Sequence, residues 1–397
     1  MPLIEARHVT KVFGPRPEQA LARLKAGASK DDVLAEYGNT VGLYDVSLSV
    51  ERGEIFVVMG LSGSGKSTLI RHFNRLIDPT EGEILVDGEN ILSLSIRELE
   101  GFRRRKTGMV FQRFGLFPHR TVLQNVAYGL EVRGEGRSER EKKAAEWVAT
   151  VGLAGYEDQY PSQLSGGMQQ RVGLARALCT DPEILLMDEA FSALDPLIRS
   201  QMQDQLIELQ ARLKKTIVFI THDLDEALRL GDRIAILKDG ALSQVGTPAE
   251  ILLNPADAYV RAFVKDVNRA RVLTVDVVMK PPPLRLTDET LEQALAEMQS
   301  CGADLGYVIN AHGYRGVVTR DALNDAIAND DKPTVEQIAV TTPSIGPEAS
   351  LAEALPATLA SAYPVAVIGS DGGLEGILSA DRVGEILTPP EERAAAE

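Results

Sequence analysis

A glycine-rich loop between an apolar strand and a helix constrains this chain more than any other stretch. It reads Gly60-Leu61-Ser62-Gly63-Ser64-Gly65-Lys66-Ser67-Thr68 and follows the apolar run 55–59. The glycines of a G-x-x-x-x-G-K-[ST] loop let backbone N–H groups turn toward a phosphate chain, and the following helix adds its positive dipole end. Lys66 would then reach the β- and γ-phosphates, and the Ser67 hydroxyl would ligate the Mg²⁺ that bridges them. The residues predicted to bind the nucleotide are Gly60, Ser62, Gly63, Ser64, Gly65, Lys66, Ser67 and Thr68.

The overall composition excludes several classes of protein. The 397 residues are enough for two or three domains, and a net charge of -15 argues against a nucleic-acid partner, because phosphate backbones attract basic surfaces. No apolar run approaches the ~20 residues that cross a bilayer, and the N-terminus does not have the pattern of a secretion signal. Cys179 and Cys301 have no metal-ligand spacing and are both predicted to be small core residues.

Polar groups follow several other apolar strands. Gln112 is expected to close the strand 107–112, and the buried run 184–187 leads into Asp188 and Glu189. This Walker B pattern places Asp188 to hold Mg²⁺ through water and Glu189 to polarise the attacking water. His222 ends the strand 216–221, where open α/β sheets gather ligand groups, so it is either a γ-phosphate contact or a structural histidine.

A second potential anion site begins at Ser165, Gly166 and Gly167, directly before a helical stretch. Ser165 is predicted to cap that helix, which leaves N–H groups that can face a γ-phosphate. One chain that binds one ATP does not need two phosphate sites. The second site is therefore predicted to serve a neighbouring subunit.

Three further regions flank these motifs. Phe13 ends the first strand, where a buried core aromatic is one interpretation of it, and a short helical insertion at about 15–40 follows. The loop 113–121 carries two phenylalanines and a leucine, so it is either a partner surface or a loop folded back on its own core. Residues of about 113–170 are expected to form a helical subdomain.

In this order, the motifs resemble those of the ABC transporter ATPases. The phrases MGLSGSGKSTLIRHFNRLIDPTEG, VFQRFGLFPHRTVLQNVAYGLE and LSGGMQQRVGLARAL are most similar to the ATP-binding subunits of quaternary-amine importers (glycine betaine, proline betaine, choline). The resemblance is strong over 41–269. It implies an α/β fold: a P-loop, RecA-like ATPase core with an antiparallel β subdomain and a helical signature subdomain, spanning 1–269.

The resemblance also implies roles and partners. Glu189, His222 and Lys66 would be catalytic, and Phe13 would stack on adenine. Ser67, Gln112 and Asp188 would surround Mg²⁺. Two copies would sandwich two ATP molecules beneath two membrane permease subunits, on the cytoplasmic face of the inner membrane, with a substrate-binding protein as an indirect partner. The residues implied to act on the partner's ATP, or to cross between subunits, are Ser165, Gly166, Gly167, Gln169 and Asp195.

The C-terminal third repeats itself after sixty positions. Pro283, Leu291 and Gly316 recur as Pro343, Leu351 and Gly376, which predicts a pair of small α/β modules. This pattern resembles a tandem CBS pair, with repeats at 270–330 and 331–388 and a tail at 389–397. The spacing Thr319-Arg320-Asp321 and Ser379-Ala380-Asp381 departs from that of nucleotide-binding pairs, so a regulatory nucleotide and a purely dimer-forming role both stay open.

The sequence thus predicts the ATPase subunit of an osmoprotectant importer, working as a homodimer with Mg²⁺ and ATP and regulated through its CBS pair. Two alternatives are an importer ATPase for another solute, such as an amino acid, and a soluble ABC ATPase outside transport. The second usually carries two ATPase halves or a long coiled coil, and neither pattern is present in the sequence.

Overall fold

A computed structural model describes residues 1–112, 115–192, 194–328 and 333–388. The chain divides into two units, Met1–Val264 and Lys265–Glu397, and each is described separately. No helix in the described ranges combines the length and the apolar character needed to cross a bilayer.

The first unit contains two sheets. Its strands in chain order are β1 (Ile4–Phe13), β2 (Thr40–Val50), β3 (Ile55–Met59), β4 (Glu81–Val86), β5 (Glu89–Asn90), β6 (Thr107–Val110), β7 (Ile184–Asp188), β8 (Thr216–Thr221), β9 (Arg233–Lys238) and β10 (Ala241–Gly246). The core sheet has the order β10-β9-β3-β8-β7-β6, and only β10 runs antiparallel to its neighbour. A second sheet, β2-β1-β4-β5, is antiparallel throughout. The carboxyl ends of the five parallel strands therefore lie along one edge.

Helices connect these strands. They are α1 (Pro17–Lys25), α2 (Lys30–Tyr37), α3 (Lys66–Phe73), α4 (Ile96–Arg105), α5 (Val122–Val132), α6 (Arg137–Thr150), α7 (Gly166–Cys179), α8 (Pro196–Leu213), α9 (Leu224–Leu230), α10 (Pro248–Leu253) and α11 (Ala258–Val264), with short 3₁₀ turns at Ile91–Ser93 and Pro161–Gln163. The insertion predicted at about 15–40 contains α1 and α2. Ser29 and Asp32 form a capping box that fixes the start of α2.

Both sheets of the first unit share one core. Strands β3, β7 and β8 are buried along their whole length, as expected for parallel strands covered on both faces. Their side chains pack with those of β1, β2 and α3 in a continuous apolar cluster. The phosphate loop, which joins β3 to α3, is thus anchored at both ends in rigid structure.

The helical part consists of α5, α6 and α7, which pack around a separate apolar cluster. Helix α7 begins inside the predicted range of about 113–170 and runs on to Cys179, because its buried face continues that cluster. Residues Arg113 and Phe114 of the predicted partner loop lie outside the described residues. Leu116 packs against the helical cluster, so this part of the loop is folded back on the core.

The second unit contains two similar three-stranded sheets. Its elements are α12 (Arg269–Val272), α13 (Val275–Val278), β11 (Arg285–Leu286), α14 (Leu291–Cys301), β12 (Leu305–Asn310), β13 (Gly313–Thr319), α15 (Arg320–Ala328), α16 (Val335–Ile338), β14 (Ser344–Ile345), α17 (Leu351–Ala360), β15 (Val365–Ile368), β16 (Leu374–Leu378) and α18 (Ala380–Leu387). The sheets β11-β12-β13 and β14-β15-β16 have the same directions, one parallel and one antiparallel pair each. The tail 389–397 lies outside the described residues.

The two repeats exchange short segments. Lys280, which precedes the first sheet, pairs with Ile377 of β16, and Val340, which precedes the second sheet, pairs with Val317 of β13. Helices α12 and α13 pack against α17 and α18, while α16 packs against α15 and β13. The ranges 270–330 and 331–388 mark the sequence repeats, whereas each packed unit also takes in a segment from the other repeat.

The prediction that both cysteines are core residues is correct for Cys179 and wrong for Cys301. Cys179 is buried at the end of α7, in the helical cluster. Cys301 is the last residue of α14, where the chain turns at Gly302, and it is exposed.

Candidate functional site

The phosphate loop is shaped by its glycines. Gly60, Gly63 and Gly65 all have positive φ, a region that residues with a Cβ seldom adopt. A Cβ at Gly60 would lie 2.2 Å from the carbonyl oxygen of Leu237, and one at Gly65 would lie 2.5 Å from that of Gly42. Any side chain at Gly60 or Gly65 would therefore displace the loop from its contacts with β9 and β2.

Lys66 is folded over this loop. Its ammonium is buried and donates to the carbonyl oxygens of Gly60 (2.9 Å) and Leu61 (3.1 Å). Burial lowers the pKa of Lys66, and the carboxylates of Glu189 and Asp188 act in the opposite direction. The charge is thus held over the loop, where a β- or γ-phosphate would lie.

The other loop residues surround the same point. Ser67 and Thr68 open α3 within its first turn, while Ser62 is exposed. The Ser64 hydroxyl is buried and has no hydrogen-bond partner among the described residues. The Thr68 carbonyl accepts a 2.6 Å hydrogen bond from Nδ1 of His72, which fixes the helix behind the loop.

Asp188 is the last residue of β7 and is buried beside α3. The Ser67 hydroxyl donates to its Oδ1 at 2.8 Å, and Nη2 of Arg71 lies 3.4 Å from its Oδ2. Arg71 was not among the sequence-predicted residues. Its signal was its position on α3, four residues after Ser67, which places both side chains on one face of the helix.

Glu189 is the point at which the predicted groups meet. Gln112 donates to its Oε2 at 3.1 Å, Nδ1 of His222 lies 3.6 Å from the same oxygen, and the Lys66 ammonium is 3.8 Å from Oε1. The backbone of Glu189 has φ 45°, a left-handed conformation that is strained for a residue with a Cβ. Strain of this kind is common where a side chain is held in a reactive position.

Gln112 contacts Glu189 from a turn that follows β6. It was expected to close its strand, but β6 ends at Val110, so Gln112 lies two residues farther on and is exposed. The loop beyond β6 carries its amide to Glu189, 77 residues away in sequence.

The donors around this point suit a magnesium ion. The hydroxyl of Ser67, the carboxylate of Asp188 and the side-chain oxygen of Gln112 are hard oxygen donors, the type that Mg²⁺ prefers. In the described part of the chain, no group of three or more His, Cys, Asp and Glu side chains forms a metal site. Mg²⁺ at this place therefore has to take further ligands from phosphate oxygens and water.

The second anion site has the predicted helix cap. The Met168 N–H donates to the Ser165 hydroxyl at 3.4 Å at the start of α7. Apart from its chain neighbours and the backbone of its own helix, no described residue lies within 4 Å of a Cβ built on Gly166, whereas one on Gly167 would clash with Ile198. Gln169 donates to the carbonyl oxygens of Pro161 and Leu164, so its side-chain amide braces the loop before the helix.

Asp195, predicted to cross between subunits, caps α8 through a 3.1 Å hydrogen bond from the Ile198 N–H. The turn before it includes Ala193, which lies outside the described residues. The Ile198 side chain lies against Gly167, so the start of α8 packs beside the start of α7.

Phe13 lies at the end of β1 and is 38% exposed, which argues against the alternative of a buried core aromatic. A Cβ built on Gly42 would lie 2.6 Å from the Phe13 ring, and the Gly42 carbonyl in turn abuts Gly65. The ring is therefore one residue away from the phosphate loop. Lys11 places its ammonium 5.2 Å from the ring centroid.

Comparisons with known proteins agree with this geometry. The family description "ABC transporter" matches residues 43–192. The glycine betaine/carnitine transport ATP-binding protein GbuA of Listeria monocytogenes is 50% identical over 95% of this chain and 96% of its own length. The glycine betaine transport ATP-binding protein OpuAA of Bacillus subtilis is 54% identical over 77% of this chain and 73% of its own.

A solved structure is similar as well. The dimeric post-hydrolysis structure of the ATP-binding cassette MJ0796, bound to ADP and Pi, is 34% identical, with a TM-score of 0.53, over 62% of this chain and 98% of its own. The identity of about half over nearly the whole of GbuA shows the family to which this chain belongs. The chain is a member of the ABC transporter family, and within it an ATP-binding subunit that hydrolyses ATP.

Proposed function

We propose that the chain powers the uptake of glycine betaine, proline betaine and similar osmoprotectants by an ABC importer. The observation that carries the proposal is the similarity to GbuA over 95% of this chain, which includes the C-terminal unit as well as the ATPase unit. The proline betaine and glycine betaine transport protein ProV of Escherichia coli, 50% identical over 82% of both chains, supports the same class of solute.

The chemistry follows from the groups around Glu189. This carboxylate accepts the proton of the attacking water as general base, and His222 and Gln112 hold it in position. Lys66 places positive charge where the γ-phosphate leaves. Mg²⁺, when bound near Ser67 and Asp188, neutralises charge on the β- and γ-phosphates. ABC ATPases generally use Mg²⁺ with ATP.

A complete site requires a second subunit. The exposed N-terminal end of α7, where no other described segment covers Gly166, would face the γ-phosphate of ATP held by a partner copy. A symmetric dimer then contains two equivalent composite sites, in which Ser165, Gly166 and Gly167 act in trans and Asp195 lies near the crossing. Gln169 would support the partner's ATP site only indirectly, because its side-chain amide already donates to carbonyl oxygens of the loop before α7.

A groove beside Gln112 is suited to the permease. It has a volume of about 350 Å³ between β6 and the helical part, and Phe111 and Val132 on its walls are exposed. Phe117 and Tyr128 line it with their rings 4.5 Å apart. The walls also include Arg103, Arg104 and Arg176, so a permease segment with both apolar and polar or acidic side chains fits them. The subunit is thereby held at the cytoplasmic face of the inner membrane through its partners, with a substrate-binding protein contacting the permease alone.

The second unit is proposed to be the tandem CBS pair that regulates the motor. Its support is the repeated sheet and helix order, with each long helix starting at a capping box on Thr290 or Ser350. A regulatory nucleotide and a dimer-forming role are both compatible with this arrangement.

The experiment is solute uptake in a strain that lacks this chain. Cells complemented with the wild-type chain should accumulate labelled glycine betaine and proline betaine, and cells with Glu189→Gln should not. Labelled methionine serves as the control solute. Uptake of methionine but not of betaines would assign the motor to an amino-acid importer.

A further inference from the structure

The insertion between β1 and β2 carries a buried positive charge with no assigned task. Lys30 is the first residue of α2, and its ammonium is enclosed with no hydrogen-bond partner among the described residues. Burial lowers the pKa of Lys30, and the carboxylate of Asp239 acts in the opposite direction. A buried ammonium without a hydrogen-bond acceptor is unfavourable, so a further negative charge besides that of Asp239 would stabilise it.

The Lys30 ammonium lies beside glycines that pack against the phosphate loop. A Cβ built on Gly240 would lie 3.2 Å from Lys30 Nζ and 2.6 Å from the Gly42 carbonyl oxygen. A Cβ on Gly65 would lie 2.5 Å from that same oxygen and 3.5 Å from the Cα of Gly240. Gly240 also donates to the Ser64 carbonyl at 3.0 Å. The charge therefore lies behind the loop, beyond the backbone of Gly42 and Gly240, and the Leu43 side chain also packs against Gly65.

The local backbone keeps this arrangement fixed. The Gly240 carbonyl accepts from the Tyr44 N–H at 2.8 Å, which ties the β9–β10 turn to β2. The capping box of Ser29 and Asp32 holds the first turn of α2, and Lys30 with it. The ammonium is thus placed by two anchored segments and not by a free surface loop.

Charge acts strongly across packed backbone of this kind, because the protein interior screens less than water. A triphosphate in the loop brings several negative charges close to Lys30. We propose that Lys30 is a second cation of the nucleotide site, supplied by the insertion, which stabilises the bound phosphate chain from behind the loop. This rests on the ATP site of the proposed function and adds a positioning charge to it.

Phe13, the residue predicted to stack on adenine, also lies against Gly42. Gly42 separates the Phe13 ring from the phosphate loop, and its carbonyl lies against Gly240, beside Lys30. The charge of Lys30 should act on the negatively charged phosphates and not on the neutral base. An electrostatic role for Lys30 therefore predicts a loss of affinity that depends on the number of phosphates, whereas a general packing role of the insertion does not.

The test uses the full chain with Lys30→Met and equilibrium binding of ATP, ADP and AMP. The expected result is an affinity for ATP weaker by about tenfold, a smaller loss for ADP and a minimal loss for AMP, since the effect scales with ligand charge. In hydrolysis assays KM should rise while kcat stays near the wild-type value. Lys30→Arg should restore most of the affinity.

Lys25→Met is the matched control. Lys25 lies on α1 of the same insertion, is exposed, and pairs with Glu81 at 2.6 Å, so its loss should leave all three affinities unchanged. The nucleotide-free melting temperature of Lys30→Met should equal or exceed that of the wild type, because an unpaired buried charge is removed.

Equal weakening for ATP, ADP and AMP, a lowered melting temperature without nucleotide, or unchanged ATP affinity would each overturn the proposal. So would the same loss with Lys25→Met. Failure of the ATPase assignment itself is separate, because it would appear as absent ATP binding and hydrolysis in the wild-type chain.

Discussion

The histidine behind the phosphate loop should make folding sensitive to mild acid. His72 is fully buried on α3, its Nδ1 donates to the Thr68 carbonyl at 2.6 Å, and its Nε2 has no partner among the described residues. Burial is the main cause that lowers its pKa to about 4 from the ordinary value of 6.5. The ring must therefore stay neutral while the protein is folded.

The direction of the effect follows from proton binding. Between pH 6.5 and about 4 the unfolded chain binds a proton at His72 and the folded chain does not, so the stabilisation is present above pH 6.5 and is lost as pH falls. Each pKa unit corresponds to about 1.4 kcal/mol. The free energy of unfolding should fall by about 2 kcal/mol at pH 5 and by about 3 kcal/mol near pH 4 through this residue.

The assay compares the wild type with His72→Gln in denaturant unfolding from pH 7.5 to 4.5, without nucleotide. Glutamine retains a donor for the Thr68 carbonyl and cannot be protonated. Since both proteins share every other titrating group, the difference between their pH profiles isolates His72. NMR titration of the ring gives its pKa directly. Parallel profiles, or a ring that titrates near pH 6.5, would show that His72 does not cause the loss of stability in acid.

Three further predictions concern the loop, the composite site and the C-terminal unit. Gly65→Ala should abolish ATP binding because its Cβ would meet the Gly42 carbonyl. Gly63→Ala should weaken ATP binding only moderately, because Gly63 has φ 81° but no described neighbour within 4 Å of its Cβ position. Calorimetry measures both affinities, and equal losses would contradict a steric cause. Gly166→Asp should bind ATP but not hydrolyse it, and mixing it with Lys66→Ala should recover part of the activity through one intact site. Heterodimers without recovered activity would speak against hydrolysis in trans. Removing residues 265–397 should preserve basal hydrolysis and abolish its response to ionic strength or to a cytosolic nucleotide, and an unchanged response in reconstituted transport would contradict a regulatory role.

The convergence of the site could be predicted from the sequence because its groups follow parallel strands. Glu189 and His222 come directly after β7 and β8, which are neighbours in the sheet. Lys66 follows β3, the strand on the other side of β8. Carboxyl ends of parallel strands share one edge, so these side chains had to lie close together. Accordingly, the Glu189 carboxylate lies 3.6 Å from Nδ1 of His222 and 3.8 Å from the Lys66 ammonium.

Other features depend on contacts between segments that are distant in sequence. Lys30 acquires its place only because the turn at Gly240 and the strand at Gly42 close around it. The exchange between the repeats rests on isolated bridges, such as those at Lys280 and Val340, and on the packing of short helices, neither of which leaves a periodic pattern. The exposure of Cys301 depends on where α14 ends, and a helix end is harder to predict than a helix.

ATP turnover by Glu189→Gln, measured beside the wild type, is the most direct test of Glu189 as the catalytic base. The variant should bind ATP normally, retain it unhydrolysed in a closed dimer and turn over about 10²- to 10⁴-fold more slowly, because only the base that accepts the proton of water is lost. Hydrolysis at the wild-type rate would show that Glu189, despite its contacts with Lys66, Gln112 and His222, is not the base.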